Sequence, residues 1–194
     1  MKSVCVYCGS SNGVSPLYTE AARAFGRALV EHDLTLVYGG GKVGLMGVIA
    51  NEVMSAGGRA VGVIPELLLD KEVGHKGLTE LHVVPDMHHR KKMMADLSDA
   101  FVALPGGVGT LEELFEVYTW AQLGYHHKAV GVLNIDGFYD PLIGLLQHTV
   151  QEGFMRPAYL DLLQIENDPQ ALIDRLARYQ PPAHDKWTEH REEV

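Results

Sequence analysis

The sequence predicts an α/β fold: one domain on a Rossmann-like, mainly parallel sheet with helices on both faces. Three observations carry that expectation. Short apolar runs alternate with longer segments of helical periodicity along the chain. Glycine-rich turns follow several of those runs, as at Gly39-Gly40-Gly41 and Gly106-Gly107. No internal repeat or low-complexity tract breaks the alternation.

Taken in order, residues 4–7 read as a buried strand and 16–32 as a helix with apolar positions at helical spacing. A second strand at 35–38 runs into the triple-glycine turn, and a helix at 43–55 stops at Gly57-Gly58. A third strand at 60–64 ends at Pro65. Residues 66–79 read as an irregular connection of the kind that forms a lid over a site. A short strand at 81–84 and a helix at 88–97 follow, then a strand at 100–104 and a helix at about 111–123. The last elements are a strand at 129–133, a helix at 139–152, a weak strand at 163–165 and a helix at 169–179. Residues 1–180 therefore make the domain. The stretch 181–194, proline-led and charged, reads as a flexible tail.

Composition bounds the function. The 194 residues are 46% hydrophobic and 21% charged, sufficient for one sizeable core. A net charge of −9 argues against general binding to nucleic acid or an anionic membrane, but leaves room for a local basic pocket. No apolar run approaches the roughly 20 residues that cross a bilayer. The chain also enters its first strand too early for a signal peptide. We expect a cytoplasmic protein. Cys5 and Cys8 have CxxC spacing, yet residues three apart on a strand point to opposite faces, and no second pair completes a zinc site. They read as small buried residues.

In such sheets ligands bind beyond the carboxyl ends of the strands. Four segments fall there: Gly9-Ser10-Ser11, Gly39-Gly40-Gly41, Asp86 to Lys92, and Pro105 to Glu113. Gly39-x-Gly41-x-x-Gly44 matches the dinucleotide fingerprint, but the acid expected after the next strand is only loosely met by Glu66. A tight turn with positive φ explains the same glycines. Pro105 to Glu113 is more specific: a strand leads through three glycines into a helix bearing Thr110, Glu112 and Glu113. Backbone N–H groups at such a turn suit a phosphate. Without the lysine of an ATP-hydrolysing loop, a kinase or ATPase fits poorly. Thr110-x-x-Glu113 also reads as a capping box, with Thr110 as N-cap and Glu113 as its partner. His88-His89-Arg90-Lys91-Lys92 is the basic counterweight; Arg90 can grip a phosphate or polarise a substrate oxygen. Met93 and Met94 are candidates for a base pocket or for the core. The His88-His89 and His126-His127 pairs lack metal-ligand spacing, so we expect no metal.

The stretch Pro105-Gly106-Gly107-Val108-Gly109-Thr110-Leu111-Glu112-Glu113 resembles the PGGxGTxxE motif of the LOG family, the cytokinin riboside 5′-monophosphate phosphoribohydrolases. Met87 to Lys91 resembles its companion arginine segment. Cys8 to Ser11, Tyr38 to Gly41 and Trp120 to Gly124 are similar as well, and the resemblance runs from about residue 2 to 170. The family is historically labelled lysine decarboxylase, although we find no Schiff-base lysine with its cofactor contacts. The resemblance implies hydrolysis of the N-glycosidic bond in a purine nucleoside 5′-monophosphate, cytokinin-type or AMP, by a homodimer. No cofactor, nucleic acid or membrane is involved. It implies a catalytic pair, Arg90 and Glu113. Gly9, Ser10, Gly40, Gly41, Met87, Lys91, Gly106, Gly107, Val108, Gly109 and Thr110 then surround the substrate, with Glu80 and Asp86 as weaker contacts near the same strand ends. The apolar helix at 118–123 is a candidate dimer surface. A non-catalytic nucleotide-binding module and a dinucleotide-dependent oxidoreductase are the rival classes.

Overall fold

The computed structural model describes residues 1–69 and 74–181. Its strands are β1 (Ser3–Tyr7), β2 (Thr35–Tyr38), β3 (Ala60–Pro65), β4 (Glu80–Val84), β5 (Ala100–Ala103), β6 (Ala129–Leu133) and β7 (Leu163–Glu166). All seven lie in one sheet ordered β4-β3-β2-β1-β5-β6-β7, and every neighbouring pair is parallel. The central strands are buried along their length because helices cover both faces, which is why their sequences are continuously apolar rather than alternating.

The helices are α1 (Pro16–Glu31), α2 (Gly44–Ser55), α3 (Glu66–Leu69), α4 (Met87–Asp96), α5 (Val108–Gln122), α6 (Asp140–Gln151) and α7 (Pro169–Arg178). One core packs α1, α2 and α7 on the sheet through Phe25, Leu29, Ile49, Val53, Leu172 and Leu176. The other packs α4, α5 and α6 through Met94, Leu114, Val117 and Leu146. α1 opens on Pro16 behind Ser15, whose hydroxyl accepts from the Leu17 N–H; both choices suit a first turn.

Several boundaries differ from the sequence reading. Within the 66–79 connection the chain forms α3 and then an isolated antiparallel bridge between Gly41 and Gly74. Residues 70–73, which carry part of the expected lid, lie outside the described residues, as do residues 182–194 of the expected tail. Two short 3-10 turns, Ile135–Gly137 and Pro157–Leu162, are too brief to leave a periodic signal. The helix expected from about 111 begins at Val108, a shift that matters for the site.

The Tyr139 hydroxyl, fully buried, donates to the Leu104 carbonyl at 2.7 Å and ties the entry of α6 to the end of β5. Tyr139→Phe leaves that carbonyl without its donor and should cost about 1–3 kcal/mol. The loss would be read as a lower urea midpoint at unchanged m-value; a midpoint equal to the parent's would show that the bond contributes nothing.

Candidate active site

The strand order steps outward from β1 to β2 on one side and from β5 to β6 on the other. Loops at the carboxyl ends of β1 and β5 therefore part company and leave a crevice. A cleft of ≈ 360 Å³ occupies it, lined by Val6 to Ser10, Gly39 and Met46, Met87 and Arg90, Gly107 to Thr110, and Glu112 and Glu113. It draws on the first turns of α2, α4 and α5.

Arg90 is the cation of this cleft, only 6% exposed. Its Nη2 donates to the Gly39 carbonyl at 3.2 Å and its Nη1 meets Met87 Sδ at 3.5 Å. Its buried Nε has no hydrogen-bond partner among the described residues. With Arg90 in this position only glycine fits at 39, because a Cβ there would collide with Arg90 Nη2. Asp86 sets the helix that carries Arg90. Its Oδ1 accepts from the His89 N–H at 2.9 Å as the α4 N-cap and lies 2.9 Å from His89 Nδ1. Those contacts hold its carboxyl below the usual carboxylate range. A carboxylate also offsets the basic first turn of α4 against the helix dipole.

α5 begins differently. Its N-cap is Gly107, which offers no side-chain cap, so the first-turn N–H groups have no acceptor from the cap residue and none within the helix. Val108, Gly109 and Thr110 line the cleft there. Thr110 is buried and packs over Gly106, where any Cβ would stand 2.1 Å from its Oγ1. The capping-box expectation is thereby overturned. Thr110 is the third helical residue rather than the N-cap, and Glu113 lies a full turn inside the helix. It lines the cleft.

Of the residues expected at the site, Gly9, Ser10, Met87, Arg90, Gly107, Val108, Gly109, Thr110 and Glu113 come together in the cleft. Gly106 lines an adjoining apolar hollow of ≈ 230 Å³ walled by Tyr18, Leu45 and Phe138. Gly40 and Gly41 do not line the cleft. The Gly40 carbonyl accepts from the His75 N–H at 3.0 Å, and Gly41 bridges to Gly74. Glu80 is corrected outright: it opens β4, at the sheet edge opposite the cleft, and pairs with Arg59 at 3.0 Å. Asp86 serves as a helix cap, and Lys91 bonds Glu112 and Glu116 on α5 without itself lining the cleft. Met94 lies in the core with Met93 packed against it.

The sequence reading missed Val6, Tyr7, Cys8 and Met46 as lining residues, and it placed Gly39 and Glu112 in ligand-end segments without naming them as contacts. Tyr7, Cys8 and Gly39 carried a usable signal, since each stands where a strand ends. Met46 carried none. Cys5 and Cys8 are free and buried; burial pushes the Cys5 thiol up to about 12 and raises Cys8 as well, so neither is a thiolate at neutral pH. Among the described residues no cluster of histidine, cysteine and carboxylate side chains could hold a metal ion.

Similarity places this site in context. A probable cytokinin riboside 5′-monophosphate phosphoribohydrolase of Oryza sativa subsp. japonica is 48% identical over 185 residues, spanning 95% of this chain and 75% of its own length. A cytokinin riboside 5′-monophosphate phosphoribohydrolase of Arabidopsis thaliana is 48% identical over 180 residues, 93% of this chain and 83% of its own. The molybdenum cofactor binding protein of Rippkaea orientalis superposes with a TM-score of 0.68 at 20% identity, over 91% of this chain and 96% of its own, a likeness of fold. Residues 46–176 match the family model described as "Possible lysine decarboxylase". With both the family model and relatives of such identity spanning most of its length, the chain belongs to the LOG family of cytokinin riboside 5′-monophosphate phosphoribohydrolases.

Proposed function

We propose that this protein hydrolyses the N-glycosidic bond of purine nucleoside 5′-monophosphates, AMP or its N6-modified cytokinin forms, releasing free base and ribose 5-phosphate. One observation carries the reading: a single cleft presents an uncapped helix N-terminus, a buried arginine with an unpaired Nε, and a carboxylate one turn further in. The relatives' activity supports it.

The first-turn N–H groups of α5, with the Thr110 hydroxyl, hold the 5′-phosphate; aligned amides and helix dipole both favour the anion. Arg90 presents its fork to substrate oxygens and fixes the sugar. As the C1′–N9 bond lengthens, its electron pair leaves with the purine and C1′ gains oxocarbenium character. An ionised Glu113 stabilises that cation and takes the proton of the water that bonds to C1′; the departing purine regains one proton, which balances the hydrolysis and returns Glu113 to its carboxylate form. The protein works in the cytoplasm as a homodimer; Val108 and Met87, apolar and exposed at the cleft mouth, suit coverage by a second copy. Among the described residues no helix is long and apolar enough to cross a membrane.

Incubation with AMP and with N6-isopentenyl-AMP should release free base, detected by chromatography. Binding of both without release of either would instead establish a nucleotide-binding module, and reduction of added NAD or NADP an oxidoreductase. Glu113→Gln should cost on the order of 10²-fold or more in kcat with unchanged melting; full turnover in that variant would remove Glu113 from the chemistry.

Gly39→Ala probes Arg90 from the other side. The new methyl meets the far end of a flexible side chain, so the fold survives while the guanidinium is displaced. We expect AMP affinity to fall about tenfold or more, the order of a lost charge-assisted bond. Wild-type affinity in Gly39→Ala would show that Arg90 does not hold the nucleotide.

A further inference from the structure

Lys91 follows Arg90 on α4 and belongs to the same basic run, yet it does not line the cleft. Its Nζ lies 2.6 Å from Glu112 Oε1 and 3.0 Å from Glu116 Oε1, with the side chain 10% exposed. Burial works against the ammonium, but the two carboxylates outweigh it and hold its pKa above the ordinary lysine value. Glu112 is itself a cleft residue, and Glu116 stands one turn further along α5. Together with Glu113, three acids therefore crowd one stretch of α5, beside a cleft meant for an anionic substrate.

We propose that Lys91 is a positioning residue: by clasping Glu112 and Glu116 from the neighbouring helix, it docks α5 on α4, offsets part of their charge, and so favours the carboxylate form of Glu113 beside Arg90. The catalytic consequence rests on the phosphoribohydrolase reading above; the clasp and its electrostatics do not. Cys5, Tyr7 and Cys8 of β1 and its loop feel the charge of Glu113, Arg90 of α4 lines the same cleft, and Glu112 and Glu116 flank it on its own helix. Burial keeps the two thiols and the phenol protonated, so they carry no charge at neutral pH. Glu112 and Glu116 are neighbouring anions on α5, and Lys91 is the cation set against them. Like charge disfavours a second carboxylate and raises its pKa.

The test reads Glu113 directly. Carboxyl 13C NMR titration of the ligand-free protein follows its pKa in the parent, Lys91→Met, Lys91→Arg and the triple variant Lys91→Met/Glu112→Gln/Glu116→Gln. Lys91→Met should raise the Glu113 pKa by about one unit. Lys91→Arg should hold it near the parent value, and the triple variant should bring it back. In turnover, the acid limb of kcat/KM should move up with it in Lys91→Met, and KM for AMP should rise.

A brace without electrostatic consequence would lower melting temperature and kcat while leaving the titration in place. An unmoved Glu113, or a shift that persists in the triple variant, overturns the proposal. Should Lys91→Met fail to fold, Glu112→Gln/Glu116→Gln supplies the converse: Glu113 must then titrate below the parent, and an unchanged value overturns the proposal equally. Because the NMR readout needs no turnover, a parent that releases no base would refute the proposed function and leave this result standing.

Discussion

Burying the Arg90 guanidinium is the constraint around which the site is arranged. A charge taken from water must find partners, or its burial destabilises the fold by several kcal/mol. Among the described residues Arg90 donates to the Gly39 carbonyl and to a weak sulfur acceptor at Met87. The carbonyl is reachable only because residue 39 has no side chain. The remaining Nε is unsatisfied within the described residues. Such a donor is costly unless the molecule spends its working life with an anion or another oxygen acceptor beside it. Glycine at the end of β2, aspartate at the head of α4 and a carboxylate in α5 are all consequences of keeping that cation where a ligand can use it.

Three helices begin around the cleft, and the ways their first N–H groups are satisfied divide the labour. In α4 the N-terminus is closed by the Asp86 side chain. In α2 the Leu45 N–H is taken by the Gly9 carbonyl at 3.0 Å. Gly44 permits that approach, since any side chain there would collide with the Ser10–Ser11 backbone. Only α5 starts on a glycine that offers no acceptor. The glycines after β2 therefore pack loop on loop and carry Arg90's carbonyl partner, whereas those after β5 leave amides open. Two turns of similar composition acquire different chemistry from what lies against them.

The layered architecture was legible because it follows from local pattern. All seven strands and the longer helices coincide with the apolar runs and helical spacings of the sequence, and the placing of a site at strand ends follows from parallel topology. What escaped was decided by contacts between distant segments. Thr110 and Glu113 satisfy a capping-box pattern, but Gly107 takes the cap and moves the helix start three residues back, so the same letters have a different role. Glu80 stands at the amino end of β4 in either reading of that strand, and parallel topology puts the site at the carboxyl ends, so the expectation ran against the topology itself. Lys91 looked like part of an anion-binding run, since nothing in its own helix shows that α5 offers it two carboxylates.

The same lysine bears on the older description of the family as possible lysine decarboxylases. A pyridoxal-dependent decarboxylase needs a lysine amine that can be deprotonated to form a Schiff base, which requires a site that depresses its pKa. Among the described residues no lysine lines the cleft. Lys91, one helix position beyond Arg90, is pushed the other way, gripped by two carboxylates that favour its charged form. Amine chemistry at this site would have to break that clasp and leave Glu112 and Glu116 without a counter-ion beside the cleft. Glycosidic chemistry asks the opposite of the same residues: a lysine that stays protonated, an adjacent acid neutralised by it, and a neighbouring acid left ionised against a ribose cation. The adjacent carboxylates Glu112 and Glu113 are thus unequal because one of them lies within reach of α4's lysine, and the arrangement favours hydrolysis of a nucleotide over decarboxylation of an amino acid.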